Sequence, residues 1–233
     1  MKIEIKGYLP TSLIDYPGKI CSVIFLPYCN FRCPYCQNPD LILKPNELPN
    51  FKVEDVLAHM KARKDWLDGV CITGGEPTLH EDLPKFIEKI KELGLLVKLD
   101  TNGTNPKMLK ELIERKLVDY IAMDVKAPLE EYEKVVRTKV SKSVLKEAIN
   151  LIRNSGIDYE FRITVVPSLT GKKEIEKIGK LLKGSKRFCI QQFRPLKTLD
   201  ESYQKEKPYN PDELRELAEV AKPFFKEVCV RGI

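Results

Sequence analysis

Six apolar runs recur along the chain: "CSVIFL" (21–26), "GVCIT" (69–73), "LVKLD" (96–100), "YIAMDV" (120–125), "YEFRITVV" (159–166) and "FCIQQF" (188–193). Each is short, rich in β-branched residues and apolar on both alternations, as buried parallel strands are. Segments with helical periodicity lie between them. Leu83, Phe86, Ile87, Ile90 and Leu93 fall on one helical face and Gly94 follows as a stop, while Asn105-Pro106 and Asn210-Pro211 each supply a cap and a first helical residue. Alternating strands and helices predict an α/β fold, either a parallel sheet curled toward a barrel or a doubly wound open sheet. Pattern alone does not choose between them.

In either architecture, ligands gather at the carboxyl ends of the strands. The polar clusters of this chain follow the apolar runs: Cys29 to Cys36, "TGGEP" (73–77), "DTNG" (100–103), "DVK" (124–126), "PSLTG" (167–171) and "RPLK" (194–197). All six are expected to converge on one mouth. No repeat, low-complexity tract or flexible linker divides the 233 residues, a length that suits one domain with a sizeable core. The single domain is expected to span 1–233, with a core of about 20–195 and the segments 1–19 and 196–233 packed on it as extensions.

Composition narrows the classes. The net charge of +6 comes from lysines interleaved with glutamates, as in "KFIEKIKELG", a mixture typical of solvated faces and of heat-stable proteins. No basic stretch is interleaved with aromatics as a single-strand groove requires, so no nucleic-acid partner is expected. No run approaches the roughly 20 apolar residues of a membrane span, and the start "MKIEIKGYLP" lacks a signal-peptide pattern. A cytoplasmic protein without a membrane partner is expected. Seven cysteines in a reducing compartment then suggest metal or redox chemistry before disulfides.

Three of the seven stand apart. "YCNFRCPYCQNP" (28–39) places Cys29, Cys33 and Cys36 in a loop and offers no fourth thiol nearby. Structural zinc would want four ligands at motif spacing, and neither His59 nor His80 supplies one. Four-cysteine cubane clusters serve electron carriers; three cysteines leave one iron open to a substrate. The alternative, three small core hydrophobes, is at odds with the neighbours Asn30, Arg32, Pro34 and Gln37. Cys21, Cys71, Cys189 and Cys229 lie inside apolar runs and are expected to be core packing.

The motif C-x3-C-x2-C, with Tyr35 before the third Cys, resembles the signature of the radical S-adenosylmethionine (SAM) enzymes. The resemblance implies a partial (β/α)6 barrel in which Cys29, Cys33 and Cys36 hold a [4Fe-4S] cluster and SAM chelates its fourth iron. One electron then cleaves SAM to methionine and a 5′-deoxyadenosyl radical. "TGGEP" resembles the second motif of the family. There Gly74 and Gly75 admit backbone close to the methionine end, and Glu76 accepts from its ammonium. A plain strand-to-helix turn opened by Pro77 is the alternative.

"KLDTNG" and "MDVKAP" resemble the glycyl-radical-enzyme activases. That resemblance implies SAM contacts from Asp100 and Lys126, the latter to the carboxylate, and a monovalent cation among Asp100, Thr101 and Asp124. Capping or loop hydrogen bonding are the other readings of these acids. Tyr35, Asn38, Asn102 and Arg162 complete the implied cofactor-binding set, although Arg162 could serve structural pairing alone. "GYLPTSLIDYPGKI", the cysteine loop and "IAMDVKAP" together resemble the anaerobic ribonucleoside-triphosphate reductase activating proteins. Two positions depart from the activases: Gln37 stands where many have His, and Lys197 aligns with a SAM-contacting His.

The implied activity is transfer of the radical to a glycine of a partner enzyme, anaerobic ribonucleotide reductase, with electrons from a low-potential donor such as ferredoxin or flavodoxin. A radical SAM enzyme acting on a small molecule, and a non-catalytic iron–sulfur or zinc protein, are the competing functions. The docking surface for the partner is expected at the cluster side, from 7–18 and 194–203.

Overall fold

The computed structural model describes residues 2–233. Its sheet runs in sequence order, β1 (Gly7–Ser12), β2 (Cys21–Leu26), β3 (Gly69–Gly74), β4 (Leu96–Thr101), β5 (Tyr120–Asp124), β6 (Asp158–Val165), β7 (Arg187–Gln192) and β8 (Glu227–Arg231). β2 through β8 are parallel and β1 is antiparallel to β2. β1 and β8 are the two ends of the sheet, which is therefore open. The helices are α1 (Pro39–Leu43), α2 (Val53–Ala62), α3 (Leu83–Lys91), α4 (Pro106–Glu114), α5 (Tyr132–Val136), α6 (Lys142–Arg153), α7 (Lys172–Leu181) and α8 (Pro211–Ala221). Among the described residues no helix is long and apolar enough to cross a membrane.

All six strands expected from the pattern are present, as β2 to β7. The helix signals hold as well. Leu83, Phe86, Ile87 and Ile90 are fully buried on α3, and each such side chain contributes about 1.5–3 kcal/mol. Asn105 and Asn210 cap α4 and α8 by accepting from backbone amides of the first turn, with Pro at the first helical position of each.

The terminal segments are more than packing. Each adds an edge strand, β1 and β8, to the sheet. β8 also corrects the expectation for two cysteines: Cys189 and Cys229 face each other in the β7–β8 register, with Cα atoms 4.7 Å apart, and form a disulfide. Cys21 and Cys71 remain free and fully buried, as core packing requires.

Period-2 alternation gives the sheet two unlike faces. One carries Ile24, Ile72, Leu99, Ile121, Phe161 and Ile190 against the helices in a single large apolar core. The other is the inside of the curl. Its floor is a small apolar cluster of Tyr16, Cys21, Val23, Cys71, Tyr120 and Ala122. Charged inward residues of the same strands include Lys98, Asp100, Asp124, Glu160, Arg162 and Arg231. Glu160, with no exposure, receives both Arg231 guanidinium nitrogens at 2.7 Å and the Tyr120 hydroxyl at 2.9 Å.

Only the start of the segment 7–18 lies near the cluster-side rim expected of it, and residues 12–18 do not. Because β1 is antiparallel, it starts beside Phe25 near the cysteine loop and ends beside Cys21 at the far end of the sheet. There Tyr16 packs on Tyr120, and Leu13 and Ile14 are exposed. Residues 194–203 do meet the cysteine loop: Gln37 donates to the Arg194 carbonyl at 3.1 Å, and the Asp200 amide to the Pro34 carbonyl at 2.9 Å.

Candidate active site

The cysteine loop leaves β2 and is fastened to β3 before the first thiol is reached. The Gly75 amide donates to the Leu26 carbonyl at 2.8 Å, the Glu76 amide to the Tyr28 carbonyl at 2.7 Å, and the His80 ring meets the Pro27 carbonyl at 2.9 Å. This contact is why glycine stands at 75: an added Cβ would lie 1.8 Å from the Tyr28 carbonyl oxygen. Gly74 has φ of +120°, a conformation that side chains resist, and its Cβ would meet the Leu26 backbone. Past Cys29, Phe31 buries itself edge-on against Tyr132, and the Arg32 side chain donates to the carbonyls of Cys29 and Phe31. Asn30 is held by Thr104 and Asn102, each at 2.8 Å. One apolar anchor and several polar ties thus fix a loop with no regular structure of its own.

A solvent-open cleft of about 860 Å³, counting its mouth, lies over this loop at the carboxyl ends of the strands. Of the residues expected at the site, Cys29, Cys33, Tyr35, Cys36, Asn38, Gly74, Gly75, Glu76, Asp100, Thr101, Asn102, Asp124 and Lys126 line it. Arg162 does not reach the lining and instead sits against the two aspartates. Gln37 lines the cleft, whereas Lys197 pairs with Asp40 outside it. Phe31, Ile42, Thr73 and Thr164 also line it and were missed, being ordinary in sequence terms.

The electrostatics are dominated by burial. It pushes the Cys29 thiol up to about 11 and that of Cys33 to about 12, the Phe31 amide opposing it at Cys29 and the Lys126 ammonium at Cys33. Burial also raises the Glu76 carboxyl, opposed by hydrogen bonds from Thr78, Asn102 and Thr101. Glu76 is thus already engaged: Oε1 accepts from the Thr78 and Thr101 hydroxyls and the Thr78 amide, and Oε2 from the Asn102 amide at 2.6 Å. It clasps β3 to the end of β4 as well as facing the cleft.

Asp100 and Asp124 share Arg162, which donates from Nη1 to Asp100 at 3.2 Å and from Nε to Asp124 at 2.8 Å. The second oxygen of Asp124 accepts from Lys126 at 3.1 Å, and that of Asp100 from Lys98. Although burial opposes it, these cations hold Asp100 below and Asp124 well below the usual carboxylate range. The cation expected among Asp100, Thr101 and Asp124 therefore meets carboxylates already paired with protein cations, and the Thr101 hydroxyl is committed to Glu76. Lys98 had one sequence signal, a lysine in the middle of the run "LVKLD".

The donor set suits an iron–sulfur cluster with a bound organic cofactor. The three thiols are unbridged and line one cleft with the Lys126 ammonium. Tyr35 lines the cleft, and its hydroxyl is buried without a hydrogen-bond partner.

Residues 23–182 match the radical SAM superfamily. The chain belongs to that superfamily. It is 38% identical over 240 residues to a protein of Methanocaldococcus jannaschii provisionally named a glycyl-radical enzyme activating enzyme, a match covering 100% of this chain and 98% of that one. It is 30% identical to the pyruvate formate-lyase-activating enzyme of Clostridium pasteurianum, over 80% of this chain and 79% of that one. These relatives place this radical SAM enzyme among the glycyl-radical-enzyme activating enzymes. Among solved structures, SuiB of Streptococcus suis bound to S-adenosylmethionine shares the fold, with a TM-score of 0.68 at 17% identity. The match covers 90% of this chain and 52% of SuiB, so the chain spans about half of that protein.

Proposed function

We propose that this chain installs a glycyl radical on anaerobic ribonucleoside-triphosphate reductase, using electrons from a ferredoxin or flavodoxin. The observation that carries the reading is the convergence, on one open cleft, of three unbridged thiols with the glycine, aspartate and lysine motifs of the activases. The resemblance of "GYLPTSLIDYPGKI" and "IAMDVKAP" to activators of that reductase favours it over other glycyl radical enzymes.

In this reading Cys29, Cys33 and Cys36 hold a [4Fe-4S] cluster, and the cluster with SAM supplies the radical chemistry. The chain supplies placement and charge. Gly74 and Gly75 let the end of β3 close against the cysteine loop, which sets the cleft wall where the methionine end lies. Glu76 Oε2 accepts from its ammonium, and the Lys126 ammonium, steadied by Asp124, pairs with its carboxylate. The Tyr35 ring lines the cleft beside the thiols, and Asn38 and Asn102 flank them. Arg162 acts from below, fixing both aspartates. The mouth of the cleft receives the partner's glycine loop, with residues 194–203 at its edge.

The test is anaerobic incubation of the reconstituted enzyme with SAM, a strong reductant and purified glycyl radical enzymes of the same organism. Electron paramagnetic resonance should show a glycyl radical on the reductase. If SAM is cleaved, no partner acquires a radical, and a small molecule instead exchanges hydrogen with deoxyadenosine, the chain acts on a small molecule.

A further inference from the structure

Lys98 lies in the middle of β4 on the inward face, 1% exposed. Its ammonium donates to Asp100 Oδ1 and comes within 3.6 Å of the Cys71 sulfur. It is one end of a continuous line of charges across the floor of the cleft. Lys98 meets Asp100, Asp100 meets Arg162, Arg162 meets Asp124 and Asp124 meets Lys126. Three cations and two carboxylates leave this line with one positive charge.

A buried lysine is an expensive way to fill space, since a methionine of similar shape would pack there without desolvating an ammonium. What the ammonium does at this position is electrostatic. Arg162 is shared between two carboxylates and offers Asp100 a single bond. Without Lys98, Asp100 Oδ1 would be a buried, uncompensated anion at the edge of the ligand cleft. An uncompensated oxygen of that kind recruits a hard cation from solution. With Lys98 in place, both Asp100 oxygens are engaged.

We propose that Lys98 is a built-in counter-cation that holds Asp100 in its cleft-facing position and frees cofactor binding from any dissolved monovalent cation. Lys98 is a positioning residue, acting through Asp100, and the inference rests on reading the cleft as the SAM site.

The test compares wild type, Lys98→Met and Lys98→Met/Asp100→Asn in potassium chloride and in N-methylglucamine chloride of equal ionic strength. SAM affinity is measured on cluster-loaded protein and melting temperature on cluster-free protein. Wild type should bind SAM equally in both salts. Lys98→Met should bind about 10- to 100-fold more weakly in the organic salt, the equivalent of one charge-assisted hydrogen bond, and potassium should restore most of the loss. Potassium should likewise raise its melting temperature selectively, and the double variant should lose both responses because the naked carboxylate is gone.

A potassium requirement in wild type overturns the proposal, and that arm needs no variant to fold. Weakening of Lys98→Met by the same factor in both salts also overturns it, since a merely structural lysine would behave so. Should wild type bind no SAM in either salt, the SAM reading falls, and the melting temperatures alone decide for or against Lys98.

Discussion

Replacing Gly75 by alanine tests the idea that the cysteine loop is seated on β3 by backbone contact. The added Cβ would stand 1.8 Å from the Tyr28 carbonyl oxygen, where real contacts do not fall below 3.0 Å. Opening the gap from 1.8 to 3.0 Å therefore displaces one strand end from the other by about 1.2 Å. Flexible side chains cannot absorb this, because the atom struck is backbone and the next residue is Cys29. Overpacking of this kind costs about 1–3 kcal/mol. Loss of the Gly75–Leu26 and Glu76–Tyr28 hydrogen bonds adds about 0.5–1.5 kcal/mol each. The total of about 2–6 kcal/mol corresponds to a fall in melting temperature of roughly 5–20 °C for a chain of this size. The assay is thermal unfolding of the cluster-free protein, followed by iron analysis after anaerobic reconstitution. Gly156→Ala is the control: Gly156 has φ of +73° but no atom within 4 Å of a Cβ, so only the backbone term of about 1–2 kcal/mol applies. If Gly75→Ala melts no lower than Gly156→Ala and loads iron as wild type does, the seating argument is wrong.

Arg162→Met should destabilise the protein by about 3–5 kcal/mol by leaving two buried carboxylates short of a partner. In wild type the depressed Asp100 and Asp124 contribute stability that is full above about pH 4 and fades only in stronger acid, whereas the variant should gain stability as pH falls toward 5; identical pH profiles would contradict this. His80 supplies a second pH effect. Burial lowers its pKa, so the unfolded chain takes up a proton the folded one resists, and stability should be full above about 6.5 and decline below it. His80→Gln should lack that decline in melting curves taken between pH 5 and 8. Wild type should load about four irons per chain, and alanine at Cys29, Cys33 or Cys36 should abolish this, while alanine at Cys21, Cys71, Cys189 or Cys229 should not, as read by iron analysis.

Local signals in the sequence were enough for the strands and for the motifs that meet at the cleft. The runs that became β2 to β7, the Asn-Pro helix starts and the three-thiol loop with its glycine, aspartate and lysine motifs are short-range patterns. Burial period, cap chemistry and turn chemistry act within a few residues, and strand ends in a parallel sheet point the same way, so convergence of the first four polar clusters on one mouth could be anticipated, whereas 167–171 and 194–197 stay outside the cleft lining. Pairing across long separations could not. The direction of β1 turned residues 12–18 to the far end of the sheet, although the same residues read as a rim segment in sequence order. β8, beginning 35 residues after β7 ends, brought Cys229 beside Cys189 and Arg231 onto Glu160. Inside the curl, the partners of a charge are set by the register of neighbouring strands. Three strands bring Lys98, Asp100, Arg162 and Asp124 into one line, and Lys126 just beyond β5 completes it. The sequence determined which charges the chain carries into the site; only the folded sheet decided which of them neutralise each other.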